Sequence, residues 1–164
     1  MIIATDFDGT LCTHRFPRIG EEAPHAINVL KKLREKGHKV FLWTMRGHPD
    51  LSRFPHVNKD TGEYIPQDTL QEALDWCKER GLEFDGVNES PEQFSTSPKQ
   101  YAKLYIDDAA FGCPVKPLHA GVGYVVDWEK IAVSFMEAGI FTQTEFLDVM
   151  GIYHGHKIPE GPSI

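Results

Sequence analysis

The sequence predicts an α/β protein built on a doubly wound, mostly parallel sheet with helices on both faces, and three observations carry that expectation. Short continuous apolar runs, Ile2-Ile3, Val40-Phe41-Leu42-Trp43 and Leu104-Tyr105-Ile106, have the character of strands covered on both sides. Helical patterns alternate with strands, the order that crossovers between parallel strands require. Each of the three runs stops at polar residues: Asp6 and Asp8, Thr44 to Arg46, and Asp107-Asp108. In an open α/β sheet the carboxyl ends of the strands border the ligand crevice, so the chemistry is expected there.

Taken in order, the β-branched Ile2-Ile3 run forms the first strand and breaks at the Gly9-Thr10 turn. Pro24 opens a helix whose Ile27, Leu30 and Leu33 share one face, and Gly37 ends it. The second strand, Val40 to Trp43, runs into Thr44-Met45-Arg46. Residues 47–66 are punctuated by Gly47, Pro49, Pro55, Gly62 and Pro66, with a turn at Asn58 to Gly62. At about twenty residues this excursion exceeds the usual connection, which makes it a candidate minimal lid or specificity loop. Asp68 and Gln71 start a second helix, Leu70, Ala73, Leu74 and Cys77 follow helical spacing, and Gly81 stops it. Phe84 to Val87 reads as a short strand, and Ser97-Pro98-Lys99 as a helix or turn start before Leu104 to Ile106. Tyr124-Val125-Val126 is a last strand, Trp128 to Glu137 a helix closed by Gly139, and Thr142 with Glu145 a capping box for a final helix through Met150. An irregular tail is expected over 151–164.

At 164 residues the chain suits a single domain, 1–164. Its 41% hydrophobic and 25% charged residues are ordinary globular values. A formal net charge of −7 argues against a broad nucleic-acid-binding surface. Cys12, Cys77 and Cys113 are odd in number and lack metal-ligand spacing, which fits a reducing compartment. With a strand starting at residue 2 and no apolar stretch of membrane-spanning length, a cytoplasmic protein with no membrane partner is expected.

Asp6 and Asp8 repel each other unless a cation sits near them, and oxygen ligands on a turn suit Mg²⁺. A carboxylate can also attack phosphorus to give an aspartyl phosphate. DFDGT, FLWTMR and YIDD, with Lys99 shortly before the last of them, stand in an order that resembles the haloacid dehalogenase superfamily of phosphohydrolases over residues 1 to 112. The resemblance implies its Rossmann-like fold and Mg²⁺ as cofactor. It implies Asp6 as nucleophile, already ionised at its ordinary pKa, and Asp8 as proton donor to the leaving oxygen, with the Asp8 carbonyl facing the metal. Thr44 would hold a phosphoryl oxygen and Lys99 would balance charge, with Lys103 as the rival lysine. Asp6, Asp8 and Asp108 would form the metal site, with Asp107 contacting Lys99 or a metal-bound water. Gly9, Thr44, Met45 and Arg46 border the substrate, and Arg46 either binds a substrate anion or makes a surface ion pair.

No room exists between Thr10 and Pro24 for an inserted cap, so no full cap domain is expected. The expected activity is Mg²⁺-dependent hydrolysis of a phosphate monoester of unspecified class through phospho-Asp6. Transfer to an acceptor other than water, or an idle phospho-signalling module, are the alternatives. His14, His48 and His56 flank the proposed mouth without a role, and His154 and His156 stand in the tail.

Overall fold

A computed structural model describes residues 1–48, 61–62, 67–90, 99–119 and 121–152. Its elements run β1 (Ile2–Thr5), α1 (Ala26–Glu35), β2 (Lys39–Leu42), α2 (Thr69–Glu79), β3 (Gly86–Val87), β4 (Leu104–Ile106), β5 (Val115–Pro117), β6 (Tyr124–Val126), α3 (Trp128–Glu137) and α4 (Gln143–Val149). Four strands form a parallel sheet in the order β3-β2-β1-β4. The chain walks outward from β1 to β3 and then returns to the other side of β1. The switch point therefore lies between the carboxyl ends of β1 and β4, where such sheets bind ligands.

Strand alternation sorts the core. Ile3, Val40, Leu42 and Ile106 point into one apolar cluster shared with Leu30 and Leu33 of α1, Ala73 and Cys77 of α2, Trp128 and Phe135 of α3 and Val149 of α4. Ala4 and Phe41 are buried on the opposite face. Full burial of a leucine or isoleucine contributes about 1.5–3 kcal/mol, so this seam ties all four helices to the sheet.

Helices α2 and α4 start at the predicted caps, and α3 at a cap the sequence reading did not name. Asp68 and Asp127 cap α2 and α3 with their carboxylates, and Thr142 with Glu145 forms the expected capping box on α4. Gly37, Gly81, Gly139 and Gly151 follow the four helices with positive φ. In each case the next two N–H groups turn back onto the last turn's carbonyls, as in His38 to Leu33 and Gly37 to Arg34.

Two expectations change. Helix α1 starts at Ala26 and not at Pro24, because His25 takes a left-handed conformation (φ 70°) between them. Tyr124–Val126 does not join the main sheet; it pairs antiparallel with β5, a strand the Pro-flanked, half-polar Val115-Lys116-Pro117 run conceals in sequence. Between Thr10 and Pro24 the chain forms a narrow paired loop, with Cys12 bridged to Glu22 and the Thr13 N–H donating to the Glu21 carbonyl at 2.8 Å, so no domain is inserted there. Most of the 47–66 excursion, including Pro49, Pro55, His56 and Pro66, lies outside the described residues, as do His154, His156 and nearly all of the tail. No described helix is long and apolar enough to cross a membrane.

Candidate active site

The ends of β1, β2 and β4 are laced together by backbone hydrogen bonds. The Asp6 N–H donates to the Ile106 carbonyl at 2.9 Å, and the Trp43 N–H to the Thr5 carbonyl at 2.8 Å. Asp6 thereby meets the Asp107-Asp108 turn, and Asp6, Asp107 and Asp108 each bring a carboxylate oxygen within 4.8 Å of the others. Two carboxylates at that separation and an effective dielectric near 20 repel by roughly 3 kcal/mol. Such a site needs protons or a cation. An all-oxygen donor set on short turns fits a hard divalent ion, with Asp6, Asp107 and Asp108 able to hold it.

The DFDGT turn serves this cluster in ways its spelling does not reveal. Gly9 has φ 84°, and a Cβ there would lie 2.4 Å from Oδ2 of Asp108, so glycine is the residue that lets this carboxylate approach. Thr10 is fully buried. Its Oγ1 accepts the Asp108 N–H at 3.2 Å, and its carbonyl accepts Nε1 of Trp128 at 2.8 Å. The Gly9 carbonyl accepts the Val126 N–H at 2.9 Å, fastening the turn to β6. Thr10 and Trp128 are positioning residues that the sequence reading did not single out.

Burial, followed by the charges of Asp107, Asp108 and Asp8, raises the Asp6 pKa from 3.8 to about 7 against one opposing backbone hydrogen bond. This corrects the expectation that Asp6 is ionised without help. Burial and Asp107 also raise Asp108, while the nearby His14 acts in the lowering direction. The folded state therefore binds the extra Asp6 proton between about pH 4 and 7, and this contribution to stability is present below that window and lost as pH rises through about 7. In chelator, the difference in melting temperature between the wild type and Asp6→Asn is expected to move against the wild type as pH rises from 4.5 to 8. Adding Mg²⁺ at pH 8 at 100 times its dissociation constant should restore about 2.7 kcal/mol, a rise of roughly 5–10 °C. Asp108→Ala should lose most of that rise. A pH-independent difference would contradict a buried, proton-loaded Asp6, and indifference to millimolar Mg²⁺ would contradict a cation site in the cluster.

Arg46 changes role. It is 1% exposed, and all five of its N–H groups are engaged. Nε and Nη2 fork the Asp8 carboxylate at 2.7 and 2.8 Å. Nη1 donates to the carbonyls of Pro17 (3.0 Å) and Thr69 (3.4 Å), and Nη2 also to that of Arg18 (2.9 Å). The rings of Phe7 and Phe16 lie 4.8 and 5.5 Å from Cζ. No donor is left for a substrate, so neither the substrate contact nor the surface ion pair expected of Arg46 is found. Asp8 is correspondingly held by Arg46 and is not a member of the three-carboxylate cluster. Its side chain does not join Asp6 and Asp108 as expected.

Thr44 is half-buried beyond β2, its Oγ1 accepting the Arg46 N–H at 3.2 Å. Its own N–H donates at 2.8 Å to Oδ1 of Asn88, a left-handed residue (φ 50°) that also donates to the Arg46 carbonyl. The sequence reading passed over Asn88. Met45 is 97% exposed. Lys99 is exposed, and Lys103 places Nζ 5.9 Å from the Tyr101 ring. Among the described residues, neither lysine makes an ion pair with Asp6, Asp107 or Asp108. His48 pairs with the α2 cap Asp68 at 2.6 Å.

A parallel sheet with an aspartate cluster at its switch point defines a Rossmann-like α/β protein with an acidic site. Residues 3–65 match the family model for haloacid dehalogenase-like hydrolases. A solved structure of a conserved protein from Bacteroides thetaiotaomicron is 35% identical, covers 88% of this chain and 95% of its own, and superposes with a TM-score of 0.58. No curated protein matches. The chain belongs to the haloacid dehalogenase superfamily of hydrolases.

Proposed function

We propose that the protein is a Mg²⁺-dependent phosphatase that hydrolyses a phosphate monoester through a phospho-Asp6 intermediate. The observation that carries this reading is the convergence of Asp6, Asp107 and Asp108 at the switch point, where burial raises the Asp6 pKa to about 7. When bound, Mg²⁺ supplies positive charge that favours ionised Asp6 and neutralises phosphoryl oxygens. Asp6 attacks phosphorus, forming the aspartyl phosphate as the bond to the leaving oxygen breaks. Asp8 gives that oxygen its proton, then takes one from the water that attacks the phosphorus and returns Asp6 as a carboxylate. Thr44 keeps its hydroxyl hydrogen for a phosphoryl oxygen, and Lys99 balances the charge of the transferring group.

Both oxygens of Asp8 accept N–H groups from Arg46, so as found the carboxylate is turned to the guanidinium. Acting as an acid requires it to exchange at least one of these bonds for the leaving group. The same observation favours a second reading, a phosphate-binding module that turns nothing over. Hydrolysis of an aryl and an alkyl phosphate, with Mg²⁺ and with chelator, separates the two. The wild type should turn over both with Mg²⁺ only. Asp8→Asn should lose more on the alkyl ester, which needs its leaving oxygen protonated, by roughly 10²-fold or more. Equal losses on both esters would remove Asp8 from the acid role, and no turnover by the wild type would support the binding module.

A further inference from the structure

The paired loop after the DFDGT turn carries four exposed side chains in a row broken only by Pro17: His14, Arg15, Phe16 and Arg18. Its backbone is held in place, since Arg46 binds the carbonyls of Pro17 and Arg18, and Thr13 is hydrogen-bonded to Glu21 through both its N–H and its Oγ1. The loop reaches the proposed site through two residues of this run. His14 acts electrostatically on Asp108, and Phe16 lies over the guanidinium that grips Asp8.

Its charge is uncompensated among the described residues. The other described arginines, Arg34, Arg46 and Arg80, each pair with a carboxylate. Arg15 and Arg18 pair with none among the described residues. The acidic residues of the loop's return limb are already taken, Glu21 by His119 at 3.2 Å and Glu22 by Arg80 at 2.7 Å. In a chain of net charge −7, two exposed arginines without an ion-pair partner among the described residues flank a 43%-exposed phenylalanine in sequence, on a loop whose backbone is held. Arginine suits phosphate through its forked donors, and an exposed aromatic face takes a planar base.

We propose that Arg15, Phe16 and Arg18 form a second subsite that selects a nucleotide: a phosphate monoester at Asp6, its base against Phe16 and a further phosphate on Arg15 and Arg18. This rests on the phosphatase reading for the reacting group. Free nucleotides and the phosphorylated ends of oligonucleotides share this chemistry.

The test compares kcat/KM for adenosine 3′,5′-bisphosphate and glycerol 3-phosphate in the wild type, in Phe16→Leu, in the Arg15→Ala/Arg18→Ala double variant and in Lys78→Ala, a distant exposed cation on α2. The wild type should prefer the bisphosphate. That preference should fall about tenfold or more in Phe16→Leu, the scale of one base–aromatic stack. It should fall at least as far in the double variant and hold in Lys78→Ala. Calorimetric titration of the bisphosphate, with Mg²⁺, into the same set made on an Asp6→Asn background should show the same order of binding. No preference in the wild type, or a preference that survives both loop variants, overturns the subsite. If no ester is turned over, the phosphatase reading fails, and the titration still decides the subsite: binding weakened by the loop variants supports it, and absent or unchanged binding overturns it. A 5′-phosphorylated trinucleotide that competes more tightly than the bisphosphate identifies the source as an oligonucleotide end, and weaker competition identifies a free nucleotide.

Discussion

Asp6→Asn is expected to abolish phosphatase turnover, with a loss on the order of 10⁴-fold or more, because removing a nucleophile removes the path and not one contact along it. The substitution is close to isosteric, and it deletes one negative charge from a cluster whose members repel. The folded protein should therefore persist and even gain stability in chelator at pH 8, where wild-type Asp6, with its pKa of about 7, is ionised. Loss of activity together with a retained or raised melting temperature is the pair of results that identifies a chemical role. Retention of a tenth of wild-type activity on the best substrate would show that Asp6 is not the nucleophile.

Arg46→Met is expected to be the most destabilising single change at the site. Methionine fills much of the same space but leaves the Asp8 carboxylate and the carbonyls of Pro17, Arg18 and Thr69 without their donor. Breaking a buried ion pair from one side costs about 3–5 kcal/mol, which for a chain of this length lowers the melting temperature by roughly 6–20 °C. Arg46→Lys should recover only part of the loss, since a single ammonium cannot fork Asp8 and also reach three carbonyls. Adding Asp8→Asn to Arg46→Met should recover some stability by removing the stranded charge. An Arg46→Met melting temperature within a degree or two of the wild type would mean that the guanidinium does not anchor this corner of the fold.

Strand and helix positions were legible because they depend on neighbours a few residues apart. Ile2 to Thr5 and Lys39 to Leu42 declare themselves by apolar runs, α2 by the Asp68 cap and Gly81, and α4 by the Thr142–Glu145 box. The convergence of Asp6 with the Asp107-Asp108 turn was also legible, since parallel strands separated by crossovers bring their carboxyl ends to one edge. Strand β5 was not legible, because Val115-Lys116-Pro117 acquires strand character only by pairing with Tyr124–Val126.

By itself, then, the sequence determined an α/β fold with polar strand ends and an aspartate-rich edge, since local periodicity, caps and turn residues act within one or two turns of chain. Only the tertiary structure decided what each polar residue does there. Arg46 is an interior anchor because carbonyls from residues 17, 18 and 69 converge on it, and Thr10 is a fastening point because Asp108 and Trp128 reach it from about a hundred residues away. Asp6 holds its proton to about pH 7 because folding strips water from it and sets three other carboxylates nearby. Desolvation and charge proximity are properties of the assembled site, and no window of sequence contains them.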